Sequence, residues 1–498
     1  MLGRTPPDEQ SGEIRIMGAE TEYTALFERQ FIDGEWVPSS SADFIDVENP
    51  ATFEHFARIP DGTVEDVDRA VDAARRALPS WKRTPLEERC ALMELFLKHF
   101  QSMRNAVIGL EVKELGAPVT FAANAHCDYQ YVRVASYIEA AGQAKLEEAF
   151  PASTVIREPV GVVGCITPWN YPLGQIVQKV VPALLMGNTV VLKPSQSTPL
   201  TACLMVEAFR RAGFPKGTIN LISGRGSRAG ARFAVHPKVA MISFTGSTEV
   251  GVTLAQQALA GVKRVSLELG GKSPCVWLPD VPDYAPAVPH LFNSILLNSG
   301  QTCTALSRLL VPKSRLAEVE ALLVEHLSDY PVGDPADPKT KIGPVASKSQ
   351  YETVKRYVEL GVGEGARLLA GGVPEAPVKG WYVKPVIFTD VRNDMRIARE
   401  EIFGPVLCVI PYGTLDEAVE LANDTPYGLN AMVYGASRAQ ACAVARRINA
   451  GNVYINDGPR DVYAPFGGYG ASGIGREGGL YGLLEFTQLK ALFDHSTF

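Results

Sequence analysis

The chain has 498 residues, 46% of them hydrophobic and 21% charged, and 48 Lys+Arg against 55 Asp+Glu leave a formal net charge of −7. That length suggests two to four domains. The apolar content excludes disorder over most of the chain, and the mild acidity gives no global attraction to nucleic acid or to an anionic membrane.

The predicted elements begin with a helix. Thr63 reads as its N-cap with Asp66 at N3, and Val64, Val67, Ala70, Val71, Ala74 and Leu78 follow at helical spacing. Pro79 is expected to end it, and a longer helix is expected over 86–115, stopped by Gly116. From 156 to 271 strands and helices alternate. Strands are expected over 160–167, 189–193, 219–222, 239–244 and 264–267, and helices over 173–186, 199–212, 228–235 and 248–260. Such alternation with short connectors predicts a parallel sheet covered on both faces, with ligands beyond the carboxyl ends of the strands. A second αβ region covers 272–470. Its strands include 308–311, 406–411 and 453–455, and helices fit 315–327, 350–360, 415–422 and 438–448, the last with Ser437 as N-cap. The fold class is α/β.

The first twenty residues lack the apolar core of a signal peptide, and no uninterrupted apolar run is long enough to span a bilayer. The eight cysteines form no C-x-x-C pair and no cluster with histidine, which argues against zinc and iron–sulfur sites. In a chain able to build its own core they read as reduced thiols, and the expected location is cytoplasmic.

Several strand ends carry residues with chemistry. Cys303 follows Asn298-Ser-Gly300-Gln-Thr, a small polar setting suited to a nucleophilic thiol but also compatible with a structural one. Glu268 lies at the end of a predicted strand, before Leu269-Gly270-Gly271. A carboxylate in a partly apolar site has a raised pKa and suits general-base work, while capping or ion pairing is the plainer role. Asn170, in Pro168-Trp169-Asn170-Tyr171-Pro172, could donate to an oxyanion or close an Asx turn. Lys193-Pro194-Ser195, Phe244-Thr-Gly246-Ser247 and Gly224–Gly230 are candidate sites for phosphate and ribose, each also readable as an ordinary turn. The G-x-G-x-x-G fingerprint is absent after the first strand, and the seven histidines are scattered without an H-E-x-x-H.

Taken in order, seven segments resemble the aldehyde dehydrogenase superfamily. They are Pro168-Trp-Asn170, Lys193-Pro-Ser195, Phe244-Thr-Gly-Ser247, Glu268-Leu-Gly-Gly271, Gly300-Gln-Thr-Cys303, Glu400-Glu-Ile-Phe-Gly-Pro405 and Pro465-Phe-Gly-Gly468. The resemblance runs from Phe31 to Phe493. It implies an aldehyde dehydrogenase-like fold of two parallel-sheet αβ domains with a small β oligomerisation arm. Residues 1–130 and 159–270 would bind the dinucleotide, 271–480 would form the catalytic domain, and 131–158 with 481–498 would form the arm.

The implied reaction is oxidation of a small-molecule aldehyde to the carboxylic acid with NAD(P)+. Cys303 would be the nucleophile, Asn170 the oxyanion donor, Glu268 the hydrolytic base, and Glu477 a residue of proton exit. The implied cofactor-binding set is Thr167, Pro168, Trp169, Lys193, Ser195, Gln196, Gly226, Gly230, Phe244, Gly246, Ser247, Leu269, Glu401 and Phe403. Gln196 stands where NAD-selective relatives often carry Glu, so NAD is expected to be preferred with NADP tolerated, and no catalytic metal is implied. By position, the substrate pocket would be lined by Tyr171, Gln175, Gln178, Leu297, Thr302, Thr304, Arg460, Tyr463 and Phe466. Arg460 could anchor an anionic aldehyde, or pair with Asp461, or face solvent. Family members are dimers or tetramers, so a homo-oligomer is expected, with no nucleic-acid or membrane partner. The alternatives are a coenzyme-A-acylating semialdehyde dehydrogenase, which usually lacks a carboxylate at the Glu268 position, and a non-catalytic structural relative.

Overall fold

The computed structural model describes residues 19–493. Residues 1–18, part of the stretch read above as lacking a signal-peptide core, and the last five residues of the expected arm, 494–498, lie outside them. Two large sheets organise the rest. The first has eight strands in the order Glu35–Val37, Gln30–Ile32, Ile219–Leu221, Thr189–Lys193, Val162–Ile166, Met241–Thr245, Arg264–Glu268, Gly473–Ile474. Its middle five strands are parallel, and antiparallel pairs close both edges. The strands VVGCI and TVVLK are buried at every position, as β-branched runs covered on both faces should be. Ile166 pairs with Lys193 and with Phe244, and Thr245 pairs with Glu268, so these four strands end along one edge.

The second sheet has seven strands in the order Arg367–Ala370, Val386–Thr389, Val406–Tyr412, Arg308–Pro312, Pro274–Trp277, Asn430–Tyr434, Asn452–Ile455. All but the first run parallel. The named expectations covered three of these strands. Runs such as Pro274–Trp277 and Val386–Thr389 are four residues each, too short for periodicity to distinguish strand from helix.

The helix capped by Thr63 carries the expected capping box, but it does not stop at Pro79; it runs Val64–Trp81. In this last turn the missing N–H of proline removes one bond only, while burial of Trp81 and the Lys82 N–H to Leu78 O keep the turn closed. The long helix expected over 86–115 is broken at Met103 into Leu86–Ser102 and Arg104–Leu110, followed by a π-helical turn Glu111–Leu115. Gly116, at φ 77°, ends it.

A helix, Tyr129–Gly142, occupies the first half of the segment 131–158 and buries Val134, Tyr137, Ala140 and Ala141. Antiparallel strands begin only at Glu147–Phe150. They continue through Ser153–Pro159 to Thr487–Phe493, which together make a separate three-stranded sheet.

Candidate active site

The loop that delivers Cys303 is held in an unusual backbone state. Asn298 and Ser299 have φ of 53° and 54°, and Gly300 has φ +73°. Left-handed conformation costs a non-glycine residue free energy and persists only where contacts enforce it. Here Asn298 Nδ2 donates to Asn170 O at 2.9 Å, and Ser299 Oγ donates to Gly343 O at 2.8 Å. A Cβ on Gly300 would lie 2.2 Å from Gly404 O, so only glycine passes this point. Asn170 Nδ2 donates to Gln301 O at 2.9 Å, and the Tyr171 hydroxyl lies 3.0 Å from Thr302 Oγ1. The turn at the end of the strand Val162–Ile166 is thus bonded to the residues immediately before the thiol.

Two cavities meet at Cys303. One, of about 210 Å³, is lined by Pro168, Trp169, Asn170, Gly246, Ser247, Leu269, Glu401 and Phe403 from the expected set, together with Gln350. The other, of about 280 Å³, is lined by Tyr171, Gln175, Gln178, Thr302, Thr304, Arg460 and Phe466 from the expected set. Phe121, Tyr129, Gln130 and Arg133 also line it and were not foreseen. Burial, with Glu401 and Glu268 beside it, pushes the Cys303 thiol up to about 12.

Glu268 is 2% exposed, and neither carboxyl oxygen has a hydrogen-bond partner. Burial first, and the negative Glu477 second, raise its pKa well above the usual carboxylate value. Glu477 is equally buried but fully engaged: it accepts from the Lys179 ammonium and from the Gln178 amide. Lys179 was not foreseen. Its only signal is a lone charge inside PLGQIVQKVVPALL, a helix buried at every position.

In the first cavity Glu401 Oε1 accepts from Gly271 N at 2.9 Å, and a Cβ on Gly270 would fall 2.4 Å from Glu401 Oε2. Burial raises Glu401 to about 7 against the lowering effect of that N–H. Gln350 Nε2 donates to Ile402 O at 3.1 Å and Phe403 O at 2.8 Å, and Phe403 packs edge-on to Trp169 at 5.4 Å. Ser247 caps the helix Thr248–Ala260, leaving that helix N-terminus at the cavity wall. The chemistry suits a dinucleotide: a carboxylate for a ribose, a helix start for the pyrophosphate, an aromatic rim and a glycine floor.

Other members of the expected cofactor set lie outside this cavity. Lys193 is buried with Nζ donating to Pro194 O at 2.8 Å, and its stem passes 3.4 Å from where a Cβ on Gly230 would stand. Burial lowers the Lys193 ammonium to about 8, partly offset by Asp61. Thr167 is buried in the sheet edge, Phe244 lies beneath Gly246, Ser195 closes its own turn with Ser197 N, and Gln196 and Gly226 do not line the cavity.

Two residues of the expected substrate set, Leu297 and Tyr463, do not line the second cavity. Leu297 packs against the core cluster around Phe292 and Leu306, because the left-handed turn beginning at Asn298 aims its side chain away from the cavity. Tyr463 is exposed, with its hydroxyl donating to Glu139 Oε2 at 2.5 Å, because the turn closed by Asp461 Oδ1 and Tyr463 N faces outward. Arg460 does not pair with Asp461, which is committed to that turn; its guanidinium lies 4.5 Å from the Phe466 ring centroid, at the cavity.

Comparisons with known proteins identify the family. The sequence pattern of the aldehyde dehydrogenase family matches residues 36–492. The chain is 44% identical over 472 residues to a 3-succinoylsemialdehyde-pyridine dehydrogenase from a Pseudomonas species, covering 93% of this chain and 98% of that one. It superposes with a TM-score of 0.93 on aldehyde dehydrogenase C from Pseudomonas syringae, solved with NAD+ and octanal, at 41% identity over 95% of this chain and 98% of that one. The Mycobacterium tuberculosis aldehyde dehydrogenase in complex with NAD+ gives a TM-score of 0.92 at 39% identity, over 95% and 99% of the two chains. The chain therefore belongs to the aldehyde dehydrogenase family, whose members oxidise aldehydes with a nicotinamide cofactor.

Proposed function

We propose that this enzyme converts its aldehyde to the free carboxylic acid, with Cys303 as nucleophile and Glu268 as hydrolytic base. The observation that carries the reading is the contrast at Glu268: a buried carboxyl with both oxygens unpartnered, beside the thiol and next to a second carboxylate that is fully engaged. Cys303, partly exposed, gives its proton to solvent and attacks the carbonyl carbon as thiolate, a C–S bond forming as the C=O π pair moves onto oxygen. The resulting oxyanion is held by the Asn170 amide and the Cys303 N–H. NAD+, when bound, supplies the hydride acceptor, and loss of hydride leaves a thioester on Cys303. Glu268 then takes a proton from water as the water attacks the thioester; the C–S bond breaks and the acid departs.

Glu401 with Phe403 would hold the nicotinamide ribose, Ser247 the pyrophosphate, and Lys193, Ser195 and Gln196 the adenosine ribose, with Gly226 and Gly230 on the adenine side. Gln196 bonds a 2′-hydroxyl without repelling a 2′-phosphate, so NAD is preferred and NADP tolerated; kcat/KM for the two cofactors checks this. Residues 473–474 of the first sheet tie the catalytic region to the nucleotide-binding one. The exposed Leu489, Leu492 and Phe493 on the tail strand support assembly as a dimer or tetramer through the arm. The spacing of the eight cysteines, without a paired framework in the sequence, supports a reducing, cytoplasmic location.

The test is Glu268→Gln. A burst of NADH should remain while steady-state turnover falls by about 10²–10⁴-fold. Because the pKa is raised, the base is protonated in acid, so wild-type turnover should fall as pH drops through that pKa, and the variant should lose this limb. An unchanged steady-state rate, or product that forms only with added coenzyme A, overturns the reading.

A further inference from the structure

We propose that the aldehyde taken by this site carries a carboxylate at its far end, clamped between Arg133 and Arg460. The inference rests on the reading of Cys303 as nucleophile and adds to it a substrate class. Both arginines line the cavity of about 280 Å³ that reaches Cys303. Each guanidinium is set against an aromatic ring, Arg133 at 4.8 Å from the Tyr129 centroid and Arg460 at 4.5 Å from that of Phe466. Arg133 Nη1 donates to Gln130 Oε1 at 3.1 Å, a neutral partner. Among the described residues neither arginine has a carboxylate within 4.0 Å.

Of the nearby carboxylates, Glu268 is unpartnered but has its pKa raised by burial, which favours the neutral form, and the others are committed elsewhere. Glu477 is bound by Lys179 and Gln178, Asp461 accepts from Tyr463 N at 2.9 Å, and Glu139 accepts from the Tyr463 hydroxyl. The other polar groups of the cavity wall are neutral amides and hydroxyls. Arg460 is exposed and Arg133 partly buried; two like charges at one cavity repel each other, and Arg133 is lowered to about 10 by burial and by Arg460. An anion between them removes that repulsion and accepts the forked donors that a guanidinium presents. A neutral alkanal would use only the aromatic rings of the wall and leave both charges uncompensated.

The test compares aldehydes matched in length: succinic semialdehyde against butanal, and glutaric semialdehyde against pentanal, with NADH formation as readout. The semialdehydes should have kcat/KM at least about tenfold higher, expressed mostly in KM. The preference should collapse towards unity in Arg133→Gln/Arg460→Gln and be partly kept in Arg133→Lys, with circular dichroism reporting that each variant is folded. Independently of turnover, succinate should bind Cys303→Ala by titration calorimetry and lose about tenfold or more in affinity when both arginines are also replaced. Oxidation of butanal as efficiently as the semialdehyde, or succinate binding unaffected by the arginine changes, overturns the proposal while the dehydrogenase reading stands. Absence of NADH with every aldehyde in the panel overturns the reading of Cys303 and this proposal with it.

Discussion

On one side of Cys303 the cavity wall is made of strand ends and backbone: Trp169 and Asn170 after one strand, Gly246 and Ser247 after another, Leu269 and Gly270 after a third. On the other side it is made of long side chains from a helix, Tyr129–Gly142, from the helix Pro172–Leu185 and from the loop carrying Arg460 and Phe466. The first wall can accept only a molecule whose shape follows the backbone, so it suits one invariant cofactor. The second can change its chemistry by exchanging side chains without disturbing a strand, so it suits the selection of a substrate. Cys303 stands at the junction, with Asn170 on the first wall and the buried Glu268 beside the thiol.

The largest effect that would strain this division concerns the base of the second wall. Glu477→Gln removes the counter-charge of the fully buried Lys179, and such a loss costs about 3–5 kcal/mol. The unfolding midpoint in urea should drop accordingly and the aldehyde KM should rise. An unchanged midpoint would mean that this ion pair does not anchor the wall.

Asn170→Ala acts at the junction, where Asn170 closes the first wall beside Cys303. Its expected cost is roughly 10²–10³-fold in kcat, with small changes in both KM values. A loss confined to one KM would make Asn170 a binding residue of that wall.

Gly270→Ala should act on the first wall alone. The added methyl lands 2.4 Å from Glu401 Oε2, so the carboxylate must shift. The KM for NAD should rise about tenfold, equivalent to roughly 1.4 kcal/mol, while the aldehyde KM stays level. Equal rises in both would show that the two cavities are mechanically linked through the loop of Cys303.

Legibility followed the same division. Glu268, Leu269, Ser247 and Asn170 were readable because each sits within a few residues of a strand end, and the strands announced themselves by β-branched runs. Arg133 was not, since its helix fell within a stretch assigned to the β arm, and Lys179 was only a charge in an apolar helix. That Leu297 does not line the cavity was not legible, because nothing local foretells left-handed backbone at two non-glycine residues in a row.

From sequence alone came the alternating αβ order, the strand-end motifs and the resemblance that joins them, since these depend on contacts a few residues apart. Tertiary packing decided the rest. It left Glu268 unpartnered while engaging Glu477, and kept Leu297 and Tyr463 out of the wall of the cavity at Cys303. It also brought Arg133 and Arg460, 327 positions apart in the chain, to the same cavity. Such meetings depend on how helices lie across a sheet, and that is set by the whole core rather than by any local pattern.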